Sequence, residues 1–459
     1  MIKMSSKKIA EILCSVSNPI DEEIENISTD SRNIKRGDLF VAIRGEKFDG
    51  HDYVAEVLEK GACVVIVDKL MSEIPSVRQI LVDDTLKAYG KIGAYVRSLY
   101  KGVVIGLTGS SGKTTLKEEL KHVLKKFAPI SATEGNFNNF IGVPRSLCDL
   151  DMGSEYAIIE MGMSAKGEIS YLTSLVKPDI AIVGNVYPMH IEFFEDGIKG
   201  IAKAKAEIFE GLSEKGVAIV NGDAMEVDIL KEKAYKYALD VVLFGKDNIV
   251  NVEELSEGEK VEAKIDGKKI SYNLSTKGEH FVCNSLCVLS VVSALGLDLN
   301  KAAEFLTDFA ELPGRGKHHK LKLETGVEFM LIDDSYSGQP EAMIFAIKGL
   351  SNIQNMGRKI ALVGKMGELG KFSKEKHIDV GKALKEFGID IVIGVGEPVK
   401  DALMQLDKKT EQYYFETFDG VKEFLVNKVL QNNDVLLIKG SHYGSQVYKV
   451  AEGLIKGDG

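Results

Sequence analysis

VVIGLTGSSGKTT, residues 103–115, is the most informative part of this sequence. An apolar, β-branched run opens it, and the Gly/Ser-rich loop that follows ends in Lys113-Thr114, where a helical pattern begins. Strand, glycine loop and helix in this order form a phosphate-binding loop, because backbone N–H groups and the helix N-terminus converge on phosphate oxygens. The stretch therefore predicts that Lys113 reaches the β- and γ-phosphates of a nucleotide and that the Thr114 hydroxyl binds Mg²⁺.

The spacing of this loop departs from the general pattern in one place. A strict G-x-x-x-x-G-K-[ST] needs a glycine six residues before Lys113, where this chain has Leu107; its first glycine is Gly106. A glycine-rich turn with a chance lysine is the alternative, but the order of strand, loop, Lys-Thr and helix favours phosphate binding. The variant spacing indicates a particular subfamily of ATPases. The predicted nucleotide-binding residues of the loop are Gly109, Ser110, Ser111, Gly112, Lys113, Thr114 and Thr115.

Length and composition limit the class of protein. The 459 residues suggest about three domains, and 44% hydrophobic with 27% charged residues is typical of a globular chain. A net charge of −10 argues against nucleic acid as the main partner. The N-terminus lacks an apolar signal region, and no apolar run approaches the ~20 residues of a membrane span. Five scattered cysteines are typical of reduced thiols. We expect a cytoplasmic protein, and since nothing calls for an oligomer, a monomer.

Strand and helix patterns alternate along most of the chain, which predicts an α/β fold with largely parallel sheets. We predict a small α/β N-terminal domain (1–98), a central domain around the phosphate loop (99–311) and a C-terminal α/β domain (312–459). Residues 247–274 are expected to form antiparallel strands, and residues 281–295 an apolar helix. The predicted strands are 38–45, 62–69, 103–105, 157–160, 180–185, 217–221, 241–245, 329–332, 359–363, 390–395 and 435–439.

Polar residues follow the predicted strands of the central domain, where ligands bind in open α/β sheets. Glu160 and His190 each come after a strand, and Lys205 lies on the next helix. Together with Thr114 they make a plausible magnesium and phosphate centre. The alternatives are a helix cap or ion pair for Glu160 and a surface position for Lys205.

Further candidates lie outside this group. The segment ATEGNFNNFIGVP, residues 132–144, clusters three asparagines that suit a polar substrate or phosphate, although an ordinary Asn/Gly turn explains them equally. In the C-terminal domain, Arg315 can neutralise phosphate and Asp334, at a strand end, can take a ribose hydroxyl; a surface arginine and a simple turn are the alternatives. His318 and His319, between lysines, are expected in a solvated basic turn.

These motifs occur in one order: GLTGSSGKTT, ATEGNFNNFIGVP, EMGM, NVYPMHIEFF with AKAKAEIF, PGRG, IDDSY, MGELG and IKGS. The ordered set closely resembles the Mur ligases, and the N-terminal STDSRNIKRGDLFVAIRGEKFDGHDY resembles the UDP-binding domain of that family. The resemblance covers nearly the whole chain. It implies a UDP-binding domain, a P-loop ATPase domain and a Rossmann-like C-terminal ligase domain.

The resemblance also implies an activity. Within the family the motifs are most similar to the branch that adds D-alanyl-D-alanine to UDP-N-acetylmuramoyl-tripeptide (UDP-MurNAc-tripeptide) in peptidoglycan precursor synthesis. ATP would phosphorylate the terminal carboxylate of the tripeptide, and the D-Ala-D-Ala amine would attack the acyl-phosphate, giving an amide, ADP and phosphate. The open alternatives are a diaminopimelate- or lysine-adding ligase, a folylpolyglutamate-type ligase and, in another class, a non-catalytic nucleotide-binding regulator.

Matching motif positions assign roles to single residues. Lys113, His190, Lys205 and Arg315 would be catalytic, with Arg315 at the γ-phosphate. Thr114, Glu160 and His190 would hold Mg²⁺, and Lys205 matches a lysine that some members carry carbamylated. Asn284 would lie at the adenine and Asp334 at the ribose. The residues expected near the UDP-substrate are Thr29, Asp30, Ser31, Arg32, Asn136, Asn138 and Asn139.

Three positions depart from the family pattern, all in the C-terminal domain. DSYSGQP stands where members usually have DSYNANP, GKM stands for GDM, and His442 replaces a frequent arginine after KGS. These changes leave the ATPase centre untouched. They bear on the contacts that admit the incoming dipeptide.

Overall fold

The computed structural model describes residues 3–45, 48–189, 191–256, 258–354, 357–367 and 369–457. Within these ranges the chain folds into three α/β units, each built on its own sheet. The predicted α/β class and its largely parallel sheets are confirmed. None of the described helices has the length and hydropathy that crossing a bilayer requires.

The N-terminal unit has a four-stranded parallel sheet in the order β3-β4-β5-β6, beside a small antiparallel pair, β1 and β2. Its central strands β4 and β5 are buried along their whole length, in keeping with their sequences, which are apolar except for Asp38 at the start of β4. The elements are β1 Met4–Ser5, α1 Ser6–Ile12, β2 Glu23–Ile24, β3 Asn26–Ser28, β4 Asp38–Val41, α2 Val54–Glu59, β5 Val64–Val67, β6 Gln79–Leu81 and α3 Thr85–Leu99.

The helix α3 joins the N-terminal and central units. Arg97, near its end, donates from Nε to the Val176 carbonyl at 2.8 Å and from a terminal nitrogen to the Lys177 carbonyl at 2.9 Å. Cys148, from the central unit, is buried in the same apolar core as Tyr89 of α3. The two units are therefore packed together through α3. The predicted boundaries at 98/99 and 311/312 stay predictions.

The central unit carries a six-stranded parallel sheet and a three-stranded antiparallel sheet. Its elements are β7 Val103–Thr108, α4 Lys113–Leu124, β8 Ile130–Ala132, α5 Gly142–Cys148, β9 Tyr156–Glu160, α6 Glu168–Val176, β10 Ile180–Val183, α7 Ile198–Ala206, β11 Val217–Asn221, α8 Val227–Tyr237, β12 Asp240–Phe244, β13 Ile249–Glu254, β14 Glu259–Ile265, β15 Lys268–Leu274, α9 Glu279–Ala294 and α10 Leu299–Leu306.

The order of the large sheet, β12-β11-β10-β7-β9-β8, explains where a ligand can bind. After β7 the chain builds β8 and β9 on one side, and then crosses to β10, β11 and β12 on the other. Strand β7 thus lies where the strand order reverses, and ligands bind outside the carboxyl ends of parallel strands at such a point. The phosphate loop follows β7 at this position.

The other predicted features of the central unit are confirmed. Strands β13, β14 and β15 pair antiparallel within residues 247–274. The apolar helix α9 packs beneath the sheet, and its buried residues join the core of β7 and α4.

The C-terminal unit has a six-stranded sheet in the order β16-β17-β21-β18-β19-β20, antiparallel only between β16 and β17. Its elements are β16 Lys317–Lys322, β17 Glu328–Asp334, α11 Pro340–Asn352, β18 Lys359–Gly364, α12 Ser373–Glu386, β19 Ile391–Val395, α13 Lys400–Leu403, β20 Glu411–Phe415, α14 Val421–Phe424, β21 Val435–Lys439, α15 His442–Ser445 and α16 Tyr448–Lys456.

The expectation of a solvated basic turn at His318 and His319 was wrong. Both residues lie in the edge strand β16, opposite Ile332 and Leu331 of β17. The alternation of exposed and half-buried positions in β16 is typical of an edge strand with one covered face. The sequence KHHKLK does not show the alternation typical of a strand, because Leu321 is its one apolar residue and the half-buried face otherwise carries Lys317 and His319.

Candidate active site at the phosphate loop

The phosphate loop is an open strand-to-helix connection ending in Gly112. Gly112 has φ of +78°, a conformation that favours glycine, and it caps the N-terminus of α4. Leu107, which replaces the expected glycine, lies inside β7 and is fully buried. The turn therefore starts after Thr108, and the variant spacing reflects a longer strand.

Lys113 extends over this loop. Its Nζ donates to the Gly109 carbonyl at 2.8 Å and to the Ser110 carbonyl at 3.2 Å. The loop thereby holds the ammonium group above the backbone N–H groups that a phosphate would meet. An anion placed there would have the helix N-terminus and a lysine on the same side.

Ser110 serves the shape of the loop. Its backbone N–H donates to the Asn185 carbonyl at 2.7 Å, and its Oγ donates to the Tyr187 carbonyl at 3.0 Å while accepting from the Tyr187 N–H at 2.9 Å. These bonds tie the phosphate loop to the segment that follows β10. The loop is therefore anchored on the neighbouring strand as well as on its own.

Glu160 lies at the carboxyl end of β9, within hydrogen-bond distance of Thr114 at the start of α4. It is 1% exposed; its Oε2 accepts from Thr114 Oγ1 at 3.0 Å and its Oε1 from Asn138 Nδ2 at 2.7 Å. Among the described residues, no lysine, arginine or histidine forms an ion pair with it. A buried carboxylate beside a threonine hydroxyl offers oxygen donors of the kind that Mg²⁺ prefers.

A buried lysine on α4 holds the asparagine segment in place. Lys117 is fully buried, and its Nζ donates to the Thr133 carbonyl at 2.7 Å and the Gly135 carbonyl at 2.9 Å. The Thr133 Oγ1 in turn accepts from the Glu160 N–H at 3.1 Å. Helix α4, the asparagine segment and the end of β9 therefore form one bonded group, and sequence reasoning did not find Lys117.

Lys205 lies near Lys113. It is 3% exposed and sits at the end of α7. Burial, together with the positive charge of Lys113, lowers the pKa of Lys205 well below its usual range. Within the described residues its Nζ has no hydrogen-bond or ion-pair partner. The alternative of a surface lysine is thus wrong, since this side chain is buried next to the phosphate loop.

A pocket continues from the loop toward α9. Asn284 lines it together with Gly112, Lys113 and the buried Phe244. The remaining lining residues are Leu107, Thr108, Ser111, Leu116, Gly184, Asn185, Asn221 and Cys283. Asn185 and Asn221 follow β10 and end β11, so their positions at strand ends were a usable signal that the sequence analysis did not take up.

Two C-terminal residues are held by their own unit. Asp334 accepts at Oδ2 from Lys439 Nζ at 2.6 Å, and Lys439 is 2% exposed. The guanidinium carbon of Arg315 lies 4.2 Å from the centre of the Tyr336 ring. Neither residue has a described bond to the phosphate loop, although the C-terminal and central units touch where the rings of His280 and Phe345 lie 5.5 Å apart.

The remaining predicted residues fall into separate groups. In the N-terminal unit, Arg32 donates from Nε to Asp30 Oδ1 at 2.8 Å, which lowers the pKa of Asp30 to about 2, and Ser31 begins the adjoining short 3₁₀ helix. Asn139 accepts at Oδ1 from the Gly142 N–H at 2.9 Å and so caps α5, while Asn136 is exposed. His190 lies outside the described residues.

The fold and this arrangement define a class. A phosphate loop at the reversal point of a parallel sheet, with a buried carboxylate and a buried lysine beside it, belongs to an enzyme that uses a nucleoside triphosphate. Family models narrow the class, with the Mur ligase family catalytic domain matching residues 23–95, the Mur ligase middle domain residues 107–292 and the Mur ligase glutamate ligase domain residues 321–442.

Relatives and solved structures agree with these matches. The UDP-N-acetylmuramoyl-tripeptide--D-alanyl-D-alanine ligase of Escherichia coli (strain K12) is 33% identical over 404 residues, which cover 86% of this chain and 87% of the relative. The crystal structure of MurF from Acinetobacter baumannii has a TM-score of 0.89 at 30% identity and covers 99% of both chains. MurF ligase from Thermotoga maritima in complex with ADP has a TM-score of 0.81 at 29% identity, over 94% of this chain and 97% of that chain. The chain belongs to the Mur ligase family.

Proposed function

We propose that this chain is the ligase that joins D-alanyl-D-alanine to UDP-MurNAc-tripeptide at the expense of ATP. The observation that carries the proposal is the bonded group of phosphate loop, Thr114, Glu160 and Asn138. The relatives support the choice of substrate. Three of them are 32–33% identical over 86–99% of this chain, and each is named as the ligase of UDP-N-acetylmuramoyl-tripeptide and D-alanyl-D-alanine.

The chemistry is a phosphoryl transfer followed by an acyl transfer. The terminal carboxylate oxygen of the tripeptide attacks the γ-phosphorus of ATP, the bond to the β-phosphate oxygen breaks, and ADP leaves. The neutral amine of the dipeptide then attacks the acyl carbon, the amine loses a proton, and phosphate departs with the amide formed. For the protein the work is positioning and charge neutralisation.

Individual residues support those two tasks. Lys113 and the N-terminus of α4 hold the β- and γ-phosphates. Arg315 reaches the γ-phosphate and Asp334 the ribose once the C-terminal unit closes on the nucleotide. Asn136 and Asn138 line the junction between tripeptide and ATP, with Asn139 beside them.

Mg²⁺ fits the donor set beside the loop. Thr114 and Glu160 would hold it, and the ion when bound would neutralise charge on the β- and γ-phosphates. Among the described residues, no group of three or more His, Cys, Asp or Glu side chains is placed to hold a metal ion by itself. His190, assigned by resemblance, would join the same site.

Lys205 suits carbamylation. The neutral amine that burial favours attacks CO₂, a C–N bond forms, one proton is lost, and the side chain becomes an anion. An anion at this position would lie opposite Lys113, whose positive charge now opposes the protonated form of Lys205. A carbamate would therefore remove a repulsion and add a negative group beside the metal site.

Other functions are less well supported. A diaminopimelate-, lysine- or glutamate-adding ligase would share the ATPase centre and differ in the acceptor. A non-catalytic regulator would have no need for a carboxylate and a buried lysine next to the phosphate loop. We also propose that the protein is cytoplasmic and monomeric, and that its three domains are divided at 98/99 and 311/312.

One assay separates these functions. The purified chain is mixed with ATP, Mg²⁺, UDP-MurNAc-tripeptide and D-Ala-D-Ala, and phosphate release is followed with and without the dipeptide. Dipeptide-dependent release with formation of the pentapeptide is expected. Release that depends on a free amino acid instead would support another ligase of the family, and no release with any acceptor would leave only nucleotide binding.

A further inference from the structure

Glu119 is a buried acid that has no ionic partner among the residues that the structure describes. It lies on α4, is 2% exposed, and its Oε2 has no hydrogen-bond partner among the described residues. Burial raises the pKa of Glu119 well above its usual range, because the charged form is poorly solvated there. Buried polar groups that lack partners cost stability, and an apolar side chain of similar size is often as good or better at such a position. A stabilising role does not explain this residue.

Among the described residues, the Glu119 side chain makes one hydrogen bond, and this bond points to another role. Asn284, on α9, donates from Nδ2 to Glu119 Oε1, with 3.5 Å between the two atoms. Asn284 also lines the pocket that opens from the phosphate loop, whereas Glu119 lies behind it. Among the described residues, the side-chain hydrogen bond from Glu119 to the pocket lining is the one to the amide of Asn284.

An asparagine amide has two different ends. If Nδ2 faces Glu119, the acceptor Oδ1 is turned toward the pocket; if the amide rotates, the pocket meets a donor instead. Adenine carries an exocyclic amino group that donates, and guanine carries a carbonyl oxygen at the same position that accepts. The orientation of one amide thus decides which base the pocket suits.

We propose that Glu119 is a positioning residue that sets the base preference of the site by holding Nδ2 of Asn284. With Oδ1 facing the pocket, Asn284 accepts from the amino group of adenine and repels the carbonyl of guanine. The inference rests on the proposed function for the presence of ATP in this pocket. It adds a specificity-determining residue on α4, five positions after the threonine of the phosphate loop.

The test compares nucleotides in the full-length protein. Binding of ADP and of GDP is measured by calorimetry, and kcat and KM are measured with ATP and GTP for Glu119→Leu and Glu119→Gln. Glu119→Leu should lower the ATP-over-GTP preference about tenfold, as expected when a pocket loses a fixed hydrogen-bonding group, mainly through KM for ATP. Glu119→Gln keeps a neutral acceptor oxygen at the same place and should keep the preference.

Matched controls separate this role from folding. Ser290 is a buried polar residue on α9, the helix that carries Asn284. Its Oγ donates to the Leu286 carbonyl at 2.8 Å, and it does not line the pocket. Ser290→Ala should leave the preference unchanged. Glu119→Leu should keep or raise the unfolding temperature, and Glu119→Met serves as a second apolar variant if the leucine variant does not fold.

Two results would overturn the inference. One is an unchanged ADP-over-GDP preference in folded Glu119→Leu; the other is an equal loss of both nucleotides, which would indicate a role in pocket volume only. The double variant Glu119→Leu with Asn284→Ala should lose no more preference than Asn284→Ala alone. The binding arm needs neither tripeptide nor dipeptide, so a chain without dipeptide-dependent phosphate release could fail the proposed function and still pass this test.

Discussion

The phosphate-loop region and the C-terminal unit hold their predicted site residues in different ways. In the loop region, Thr114 and Asn138 both bond to Glu160, and Lys113 bonds to the loop itself. In the C-terminal unit, Asp334 bonds to Lys439 and Arg315 lies over Tyr336. Thr114 and Asn138 of the loop region already meet at the Glu160 carboxylate, whereas Asp334 and Arg315 contact other residues of the C-terminal unit.

The difference follows from how each region is built. Residues of the loop region come from the ends of neighbouring strands in one sheet, so the sheet fixes their distances. Residues of the C-terminal unit reach the nucleotide only through the relative position of two units, which touch at His280 and Phe345. Variants in the loop region should therefore act on the chemical step, and variants in the C-terminal unit on nucleotide affinity and on stability.

The largest effect is expected for Lys113→Ala. Because the ammonium group lies over the loop and would meet the developing charge on the phosphates, its loss should lower dipeptide-dependent phosphate release by about 10³-fold. The matched control is Lys121→Ala on the same helix, where the side chain is 43% exposed. A wild-type rate for Lys113→Ala would remove the loop from the proposed mechanism.

Lys205→Ala should lower the rate by about 10²-fold, the loss typical of residues that tune a metal site. Short carboxylic acids should restore part of the activity by supplying the missing anion, and ¹³C-labelled bicarbonate should give a carbamate signal in the wild-type protein only. Lys203→Ala is the control, because Lys203 is 55% exposed and bonds to Asp196. No signal together with a dispensable Lys205 would contradict carbamylation.

Asp334→Asn should raise KM for ATP about tenfold, since a neutral amide accepts weaker hydrogen bonds than a carboxylate and Lys439 loses its counter-charge. The value of kcat at saturating ATP should fall much less, which would set this residue apart from Lys113. Asp390→Asn is the control; Asp390 lies just before β19, and its carboxylate accepts from the N–H of Lys359, the first residue of β18, at 2.7 Å. A fall in kcat with KM unchanged would place Asp334 in the chemical step instead.

Gly338→Ala should have the smallest effect on the rate. Gly338 stands where the family has alanine, and a Cβ there would collide with the backbone nitrogen of Ser441. We expect a loss of about 1–3 kcal/mol in the free energy of unfolding, with KM for the dipeptide raised a few fold.

Gly349→Ala, in α11, is the opposite case, because the added Cβ would meet no described atom within 4 Å beyond its chain neighbours and the backbone of its own helix. Replacing that helical glycine should stabilise the chain by about 0.5–1 kcal/mol. Chemical denaturation measures both changes. A stabilising Gly338→Ala would show that the loop at Ser441 moves aside freely.

Much of the fold followed from apolar strand patterns. The buried strands β4, β5, β7, β9 and β10 consist mainly of apolar residues, as is typical of strands in parallel sheets. The edge strand β20, with sequence EQYYF, lay outside the predicted strands. Strands β16 and β20 show that edge strands carry many polar residues, so that their sequences resemble those of loops.

The site was predictable only in part. The phosphate loop is local in sequence, so its residues and their order were sufficient. Glu160 followed from a rule about strand ends, but its bond to Asn138 joins residues 22 positions apart. Lys117, Glu119 and Cys283 lie on ordinary helical positions, where no motif separates a residue beside the pocket from one in the core.

The sequence by itself determined a P-loop α/β chain of the Mur ligase family, because local spacing encodes the loop and an ordered set of motifs encodes the family. The tertiary structure alone decided that Lys205 is buried beside Lys113, that Asp334 is paired with Lys439 and that Glu119 stands behind Asn284. Burial and pairing depend on which elements pack together. Those contacts join distant parts of the chain and leave no pattern of fixed spacing in the sequence.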